Sequence, residues 1–256
     1  MIRVAAIQHD ICWEDPQSTY DHVTPMVASA ADRGARLILL TEMFATGFSM
    51  LSEKISEQPD GPSTEFLVNQ AARTGAFVGG SIPMWWPADT TRPRNVFTLA
   101  APDGTVHRYA KLHPFTFGRE HEHYDAGNQR ITVTIDGVRV TPFVCYDLRF
   151  ANAFWDMAHD TDLYTVVANW PEARREPWMA LLRARAIENQ AYVLGVNRVG
   201  EGGNLVYSGD SKIFDPLGHE LAGASKIEAI LTADIDPEEV TSVRARFGFL
   251  NDRRQF

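Results

Sequence analysis

The segment "ITVTIDGVRVTPFVCYDLRF" (131–150) carries the clearest fold signal in the chain. Apolar residues alternate on both sides of Asp136-Gly137, a pattern that predicts a β-hairpin closed by a tight turn. The second strand ends at Cys145, one of two cysteines in the sequence. Cys145 is therefore either a small core residue at the end of a strand or a nucleophile held where the strand gives way to a helix.

Strands and helices alternate along the rest of the chain. A second hairpin is predicted around Asp103-Gly104, and further strands at 3–8, 37–40, 76–82, 163–169, 192–197, 209–214 and 228–235. Helices are predicted at 18–33, 61–75, 152–159, 176–189 and 237–246. This order predicts an α/β fold with mixed sheets arranged in layers. No linker-like change of composition divides the chain, so we expect one domain over residues 1–256.

Composition and charge exclude several classes of function. The chain has 256 residues, 45% hydrophobic and 22% charged, and a net charge of −9. Because no basic block is present, we expect neither nucleic-acid binding nor attraction to an anionic membrane. Two cysteines cannot build a disulfide framework, and the N-terminal segment lacks the apolar core of a signal peptide. We therefore expect a cytoplasmic protein that acts on a small molecule.

Three reactive side chains follow predicted strands: Glu42 after "LILLT", Lys111 after "VHRYA" and Cys145 after "TPFV". A thiol is mostly protonated near neutral pH and needs a base or a nearby cation. Glu42 is the candidate base and later acid, whereas Lys111 and the backbone N–H of Tyr146 are candidates to stabilise an oxyanion. The product of attack is a thioester that water hydrolyses, without a cofactor. Taken alone, each residue is more often structural.

At these positions the sequence resembles the nitrilase superfamily of carbon–nitrogen hydrolases. The resemblance covers nearly the whole chain and rests on these segments: "LILLTEMFATGFS", "YAKLHPF", "VCYDLRF", "ANWPEAR", "LLRARAIENQAYV", "NRVG" and "GDSKIFDPLG". It implies a four-layer α-β-β-α sandwich and a Glu–Lys–Cys triad in this chain order. It also implies that Glu120, in "GREHEHY", supports Lys111.

Within the superfamily the chain looks most like the bacterial ω-amidase branch. That branch hydrolyses the terminal amide of 2-oxoglutaramate or 2-oxosuccinamate and releases ammonia. The resemblance further implies a homodimer, with the C-terminal tail at about 247–256 at its interface. The sequence departs from the family at Thr41 and Ala151, where proline is usual. Ala151 is a good helix former, so we still expect a helix to begin there.

Other residues are candidates for binding the substrate. Arg174 is a candidate for its carboxylate, because a planar guanidinium pairs with a carboxylate through two hydrogen bonds. Four aromatic residues either line the pocket wall or belong to the ordinary core: Phe44, Phe48, Phe115 and Trp170. Close to the nucleophile, Asp147 and Arg149 are expected to form ion pairs at the pocket floor.

Three other functions stay open at this stage. One is hydrolysis of another carbon–nitrogen substrate, such as an aliphatic amide, a carbamoyl amine or a nitrile. Another is a metal-dependent hydrolase, because His121 and His123 could share one face of a strand and bind zinc. No third ligand stands out at metal spacing, so we expect no metal site. The last, a binding protein without catalysis, has no need of Glu42, Lys111 and Cys145 together.

Overall fold

Two mixed β-sheets lie face to face in the computed structural model, which describes residues 1–87 and 90–254. The first sheet has the strand order β13-β1-β2-β3-β4-β5. The strands, numbered in chain order, are β1 (Ile2–Gln8), β2 (Leu37–Leu39), β3 (Phe77–Met84), β4 (Arg94–Ala100), β5 (Val106–Ala110) and β13 (Ala229–Ile235). Strands β1, β2 and β3 are parallel, and the other pairs are antiparallel.

The second sheet has the order β10-β11-β9-β8-β7-β6, and β12 also pairs with β11. Its strands are β6 (Val133–Ile135), β7 (Val138–Val144), β8 (Leu163–Ala168), β9 (Tyr192–Asn197), β10 (Val199–Gly202), β11 (Leu205–Phe214) and β12 (Glu220–Ser225). The hairpin at Asp136-Gly137 is confirmed, with Val133 opposite Val140. Strands β7, β8 and β9 are parallel and almost fully buried, because both of their faces are covered.

Helices cover the outer face of each sheet. They are α1 (Pro16–Asp32), α2 (Ser52–Ile55), α3 (Pro62–Thr74), α4 (Glu120–His123), α5 (Ala151–Trp155), α6 (Arg175–Asn189) and α7 (Pro237–Arg246). Helices α1 and α3 pack on the first sheet, and α5 and α6 lie on the side of the second. The predicted four-layer α-β-β-α arrangement of mixed sheets is therefore confirmed. No helix among the described residues combines the length and the apolarity needed to cross a membrane.

Local sequence explains most of the boundaries and some of the differences. Helix α3 begins with Pro62, whose fixed φ suits a first turn, and ends at Gly75 with φ +67°. The helix predicted at 152–159 ends at Trp155, and a short 3-10 turn, Ala158–Asp160, follows it. Strands β10 and β12 were not predicted, because "VGEG" and "ELAGAS" contain glycine and alanine, which are depleted in strands.

Candidate active site

Cys145 lies where β7 ends and a 3-10 turn, Cys145–Arg149, begins. Its φ is +44°, a left-handed conformation that is uncommon for a residue with a Cβ and that costs free energy. The surrounding structure must therefore hold the turn in place. The thiol is nearly buried, since Cys145 is only 9% exposed.

Asp147 holds this turn from below. One oxygen of its buried carboxylate accepts hydrogen bonds from the Tyr109 hydroxyl (2.7 Å) and the backbone N–H of Val144 (3.1 Å). The other oxygen accepts from His113, through the backbone N–H (2.9 Å) and the ring Nδ1 (2.8 Å). Asp147 therefore pairs with the His113 ring, as expected, whereas no ion pair of Arg149 occurs among residues 1–87 and 90–254. Arg185 adds support from α6 by donating two hydrogen bonds to the Leu148 carbonyl.

Glu42, Lys111 and Glu120 form a buried ionic cluster. The Lys111 Nζ lies 2.9 Å from the Glu42 Oε1 and 2.8 Å from the Glu120 Oε2. Glu120 also accepts a hydrogen bond from the backbone N–H of Phe115, so its carboxylate is fixed on two sides. All three charged side chains are at most 1% exposed. Burial strengthens these contacts and leaves little freedom for Lys111 to move.

The electrostatics of the cluster favour a neutral thiol. Burial opposes the charged form of Lys111, but Glu120 and Glu42 outweigh it, so the pKa of Lys111 lies above its usual value. Burial also raises the pKa of Glu120, and Lys111 offsets only part of that rise. Burial, followed by the Glu42 carboxylate, raises the pKa of the Cys145 thiol well above its usual value. Attack by Cys145 at neutral pH therefore needs a base to remove the thiol proton.

Two asparagines that the sequence analysis missed complete the contacts of Glu42. The Asn95 Nδ2 donates to the Glu42 Oε1 at 2.8 Å. The backbone N–H of Asn169 donates to the Glu42 Oε2 at 2.8 Å, and its Nδ2 donates to the Glu42 carbonyl at 2.6 Å. Asn169 directly follows β8, at the same sheet edge as Cys145. Its place at the end of a predicted strand is the sequence feature from which its role in the site could have been predicted.

The two departures from the family pattern leave this geometry intact. Ala151 is the first residue of α5, so the helix starts where it was expected. Thr41 is buried, and its hydroxyl lies 3.1 Å from the Nε2 of His9. The backbone N–H of Tyr146 is in the first turn after Cys145, where N–H groups have no acceptor within the helix.

A cavity of about 280 Å³ opens over Cys145. Residues that line it include Phe48, Phe115, Cys145, Arg149, Trp170 and Arg174. The expected position of Phe44 in the pocket wall is wrong. Phe44 is fully buried and packs against Tyr20 and Phe66 in the core under the first sheet. The direction of the Phe44 side chain depends on the backbone at Met43, where a φ of +40° turns the chain just after Glu42. The sequence does not indicate this turn.

Two guanidinium groups lie at the cavity, each over an aromatic ring. The Arg174 Cζ lies 5.3 Å from the Phe115 ring centre, and the Arg149 Cζ lies 5.1 Å from the Trp170 ring centre. Neither side chain belongs to any ion pair among residues 1–87 and 90–254. The site therefore offers two cations to an anion in the cavity, of which sequence analysis had assigned only Arg174.

The segment considered for zinc is helical rather than extended. His121 and His123 belong to α4, where residues two apart do not share a face. Within the described part of the chain, no group of three or more His, Cys, Asp or Glu side chains has the arrangement of a metal site. The strand on which that zinc hypothesis depended is thus absent at this position.

Comparison with known proteins agrees with this geometry. The carbon–nitrogen hydrolase family matches residues 3–245. The chain belongs to the carbon–nitrogen hydrolase family. Its activity is therefore hydrolysis of carbon–nitrogen bonds, and the resemblance noted from the sequence is confirmed.

Individual relatives cover the full chain. Omega-amidase YafV of Yersinia enterocolitica is 40% identical over 100% of this chain and 98% of its own length. The 2-oxoglutaramate amidase of Bacillus subtilis is 29% identical over 98% and 97%. The crystal structure of XC1258 from Xanthomonas campestris, a CN-hydrolase superfamily protein with an arsenic adduct in the active site, superposes with a TM-score of 0.92. It is 38% identical and covers 100% of this chain and 98% of that one.

Proposed function

We propose that the protein hydrolyses the terminal amide of a 2-oxo dicarboxylic acid monoamide, 2-oxoglutaramate or 2-oxosuccinamate. The observation that carries this proposal is a nearly buried thiol beside a Glu–Lys–Glu cluster, in a cavity that also presents two guanidinium groups without a carboxylate partner among the described residues. The cluster suits attack on an amide, and the guanidinium groups suit a carboxylate at the other end of a short substrate. The names of the YafV and Bacillus relatives support the same substrate class.

In the proposed reaction, Glu42 removes the thiol proton as the Cys145 sulfur attacks the amide carbon. The Lys111 ammonium and the Tyr146 N–H stabilise the negative oxygen that forms. Glu42 returns the proton to the leaving nitrogen, which departs as ammonia and leaves a thioester on Cys145. Water, deprotonated by Glu42, then hydrolyses the thioester and restores the thiol. Glu120 holds Lys111 in position.

Substrate binding is proposed for the cavity wall. Arg174, together with Arg149, binds the carboxylate, while Phe48, Phe115 and Trp170 surround the carbon chain. Because the two cations lie over aromatic rings, their guanidinium planes are oriented before substrate arrives. This pre-organisation reduces the entropy lost on binding.

A panel assay for ammonia release tests the substrate class. We expect 2-oxoglutaramate to be hydrolysed with a higher kcat/KM than succinamate, glutamine or a nitrile. Preference for a substrate without a carboxylate would instead identify another carbon–nitrogen hydrolase, such as an aliphatic amidase. The proposed mechanism uses no metal, so activity should survive a chelator and be lost on alkylation of the thiol. The opposite pattern would favour the metal-dependent alternative.

We also propose a cytoplasmic homodimer of one-domain subunits, with the C-terminal tail at its interface. Phe249 is 61% exposed, as an interface residue would be in an isolated subunit. Other tail residues pack on their own subunit, since Leu250 is buried and the Arg253 guanidinium lies 4.0 Å from the Trp155 ring centre. Gln255 and Phe256, the end of the expected 247–256 tail, lie outside the described residues. The molar mass measured by light scattering should be that of a dimer, and Phe249→Asp should shift the protein toward monomer. A monomeric mass for the unaltered protein would contradict this proposal.

A further inference from the structure

Tyr207 differs from the other buried tyrosines in its hydrogen bonding. Six of the seven tyrosines are buried, and the hydroxyls of five of them contact a protein group: Tyr20, Tyr109, Tyr124, Tyr164 and Tyr192. Tyr207 is 4% exposed, yet its hydroxyl has no hydrogen-bond partner in residues 1–87 and 90–254. A hydroxyl that no protein group pairs is left for solvent or a ligand, so the surroundings of Tyr207 decide what it can bind.

The location of Tyr207 defines these surroundings. It lies on β11, opposite Gly200 of β10, and lines the same cavity as Cys145 and Arg174. Its oxygen is not among the fully enclosed side-chain atoms that lack a partner, so the hydroxyl is accessible, and the cavity is the space that Tyr207 lines. Whatever occupies the cavity is thus the available partner for this group.

The ring of Tyr207 is held firmly from the other side. The buried Arg198 guanidinium lies 4.6 Å from the ring centre. Arg198 in turn donates hydrogen bonds to the carbonyls of Glu201 (2.9 Å) and Val199 (3.1 Å) and pairs with Asp10. A ring fixed in this way presents its hydroxyl in one place, which is the arrangement expected of a binding group.

We infer that the Tyr207 hydroxyl donates a hydrogen bond to an acceptor oxygen at the end of the substrate that is remote from the amide. This inference rests on the proposed function, and it adds a residue that selects substrates carrying a carboxylate or 2-oxo oxygen at that end. Carboxylate and ketone oxygens share the same chemistry here, since both accept a hydrogen bond.

The protonation state of the phenol agrees with a donor role. Burial raises the pKa of Tyr207 to about 12; Arg198 lowers it and the Glu42 charge raises it. The phenol therefore keeps its proton at neutral pH. A simple aliphatic amide leaves that donor unpaired in a desolvated cavity, and sites with an unpaired polar group reject such analogues strongly. Tyr207 thus separates 2-oxo acid amides from aliphatic amides.

The test compares Tyr207→Phe with the unaltered protein on three amides that share one carbon chain. 2-Oxoglutaramate has a carboxylate and a 2-oxo group, glutaramate has the carboxylate alone, and pentanamide has neither. We expect Tyr207→Phe to lower kcat/KM for 2-oxoglutaramate roughly ten- to a hundredfold, mainly through KM, because one hydrogen bond is lost. Pentanamide should be hydrolysed at least as well as by the unaltered protein, because the hydroxyl that it leaves unpaired is absent. If its turnover is too slow to measure, its inhibition constant takes the place of kcat/KM.

Glutaramate identifies the acceptor oxygen. An equal loss with glutaramate assigns the hydrogen bond to the carboxylate, whereas no loss assigns it to the 2-oxo oxygen; both results support the inference. A similar loss on all three amides, or no loss on either acid, would overturn it. The ranking of the three amides by the unaltered protein tests the proposed function separately, because it does not depend on Tyr207→Phe.

Two further variants separate binding from structural effects. Tyr164→Phe removes a buried hydroxyl that donates to the Phe154 carbonyl outside the cavity, and it should affect all three amides alike. Tyr207→Leu also removes the ring that Arg198 covers, so it should lower turnover of pentanamide as well. The expected pattern is a selective loss in Tyr207→Phe, a uniform effect in Tyr164→Phe, and in Tyr207→Leu the same selective loss added to a general one.

Discussion

Replacing Asp147 by asparagine should weaken both the fold and the reaction. Each Asp147 oxygen accepts two hydrogen bonds: Oδ1 from the two nitrogens of His113, and Oδ2 from Tyr109 and Val144. Whichever way the new amide turns, its NH2 faces one backbone N–H, which can only donate, so at least one of the four bonds is lost; each of the other three weakens by about 0.5–1 kcal/mol, because the acceptor has lost its charge. At about 1.5–3 kcal/mol for a hydrogen bond to a charged group, the free energy of unfolding should fall by roughly 3–6 kcal/mol.

The loss should also reach Cys145, because these bonds hold the turn in which its φ is +44°. A shift of about 1 Å in the thiol costs on the order of a hundredfold in kcat. Urea unfolding followed by circular dichroism measures the stability, and ammonia release at saturating substrate measures kcat.

Asp215→Asn is the matched control for this variant. Its nearly buried carboxylate likewise accepts hydrogen bonds from the backbone N–H groups of Leu217 and His219 and from the His219 ring, in a turn outside the cavity. It should lose stability but keep kcat. A change below about 1 kcal/mol in Asp147→Asn, or an unchanged kcat, would refute the role given to the Asp147 carboxylate.

Three further predictions follow from charge and burial. Alkylation of Cys145 by iodoacetamide should accelerate only well into alkaline pH, because burial and then the Glu42 charge raise the pKa of its thiol; a rate already constant from about pH 8 upward would contradict this. Burial lowers the pKa of His9 from 6.5 to about 4, so between these pH values the unfolded chain takes up a proton that the folded protein does not. The free energy of unfolding should therefore fall by about 3 kcal/mol as the pH falls from 6.5 toward 4, and His9→Asn should show a flatter pH dependence in urea unfolding. Arg174→Lys should raise KM for 2-oxoglutaramate about tenfold and leave KM for pentanamide unchanged, because an ammonium cannot form two parallel bonds to a carboxylate; equal effects on both would contradict its role in binding.

Sequence predicts the layers of this fold well, because the signals are local. The Asp-Gly turns and the apolar runs set the hairpins and the central strands, and the residues after three of those strands are the ones that meet in the structure. The convergence itself is not a local property. The chain gives the type of residue at each strand end, but only the face-to-face packing of the two sheets brings Glu42, Lys111 and Cys145 together.

The residues that sequence assigned incorrectly share a physical reason. Phe44 lies two positions after Glu42 and Arg149 four positions after Cys145, and their directions depend on backbone angles at Met43 and in the turn after Cys145. The residues that sequence analysis missed, such as Asn95 and Tyr207, carry no charge at neutral pH. The role of Asn95 comes from its hydrogen bond to Glu42, and that of Tyr207 from a hydroxyl without a partner among the described residues. Neither the backbone angles nor the hydrogen-bond partners can be predicted from composition or from the spacing of residues.

Ammonia release from 2-oxoglutaramate by Cys145→Ala tests the central claim most directly. The substitution removes one sulfur atom from a cavity-lining residue, so the fold should be kept, and circular dichroism checks this. The thioester mechanism predicts that the folded variant releases no ammonia while the unaltered protein does. Release at the unaltered rate would contradict the assignment of Cys145 as the nucleophile.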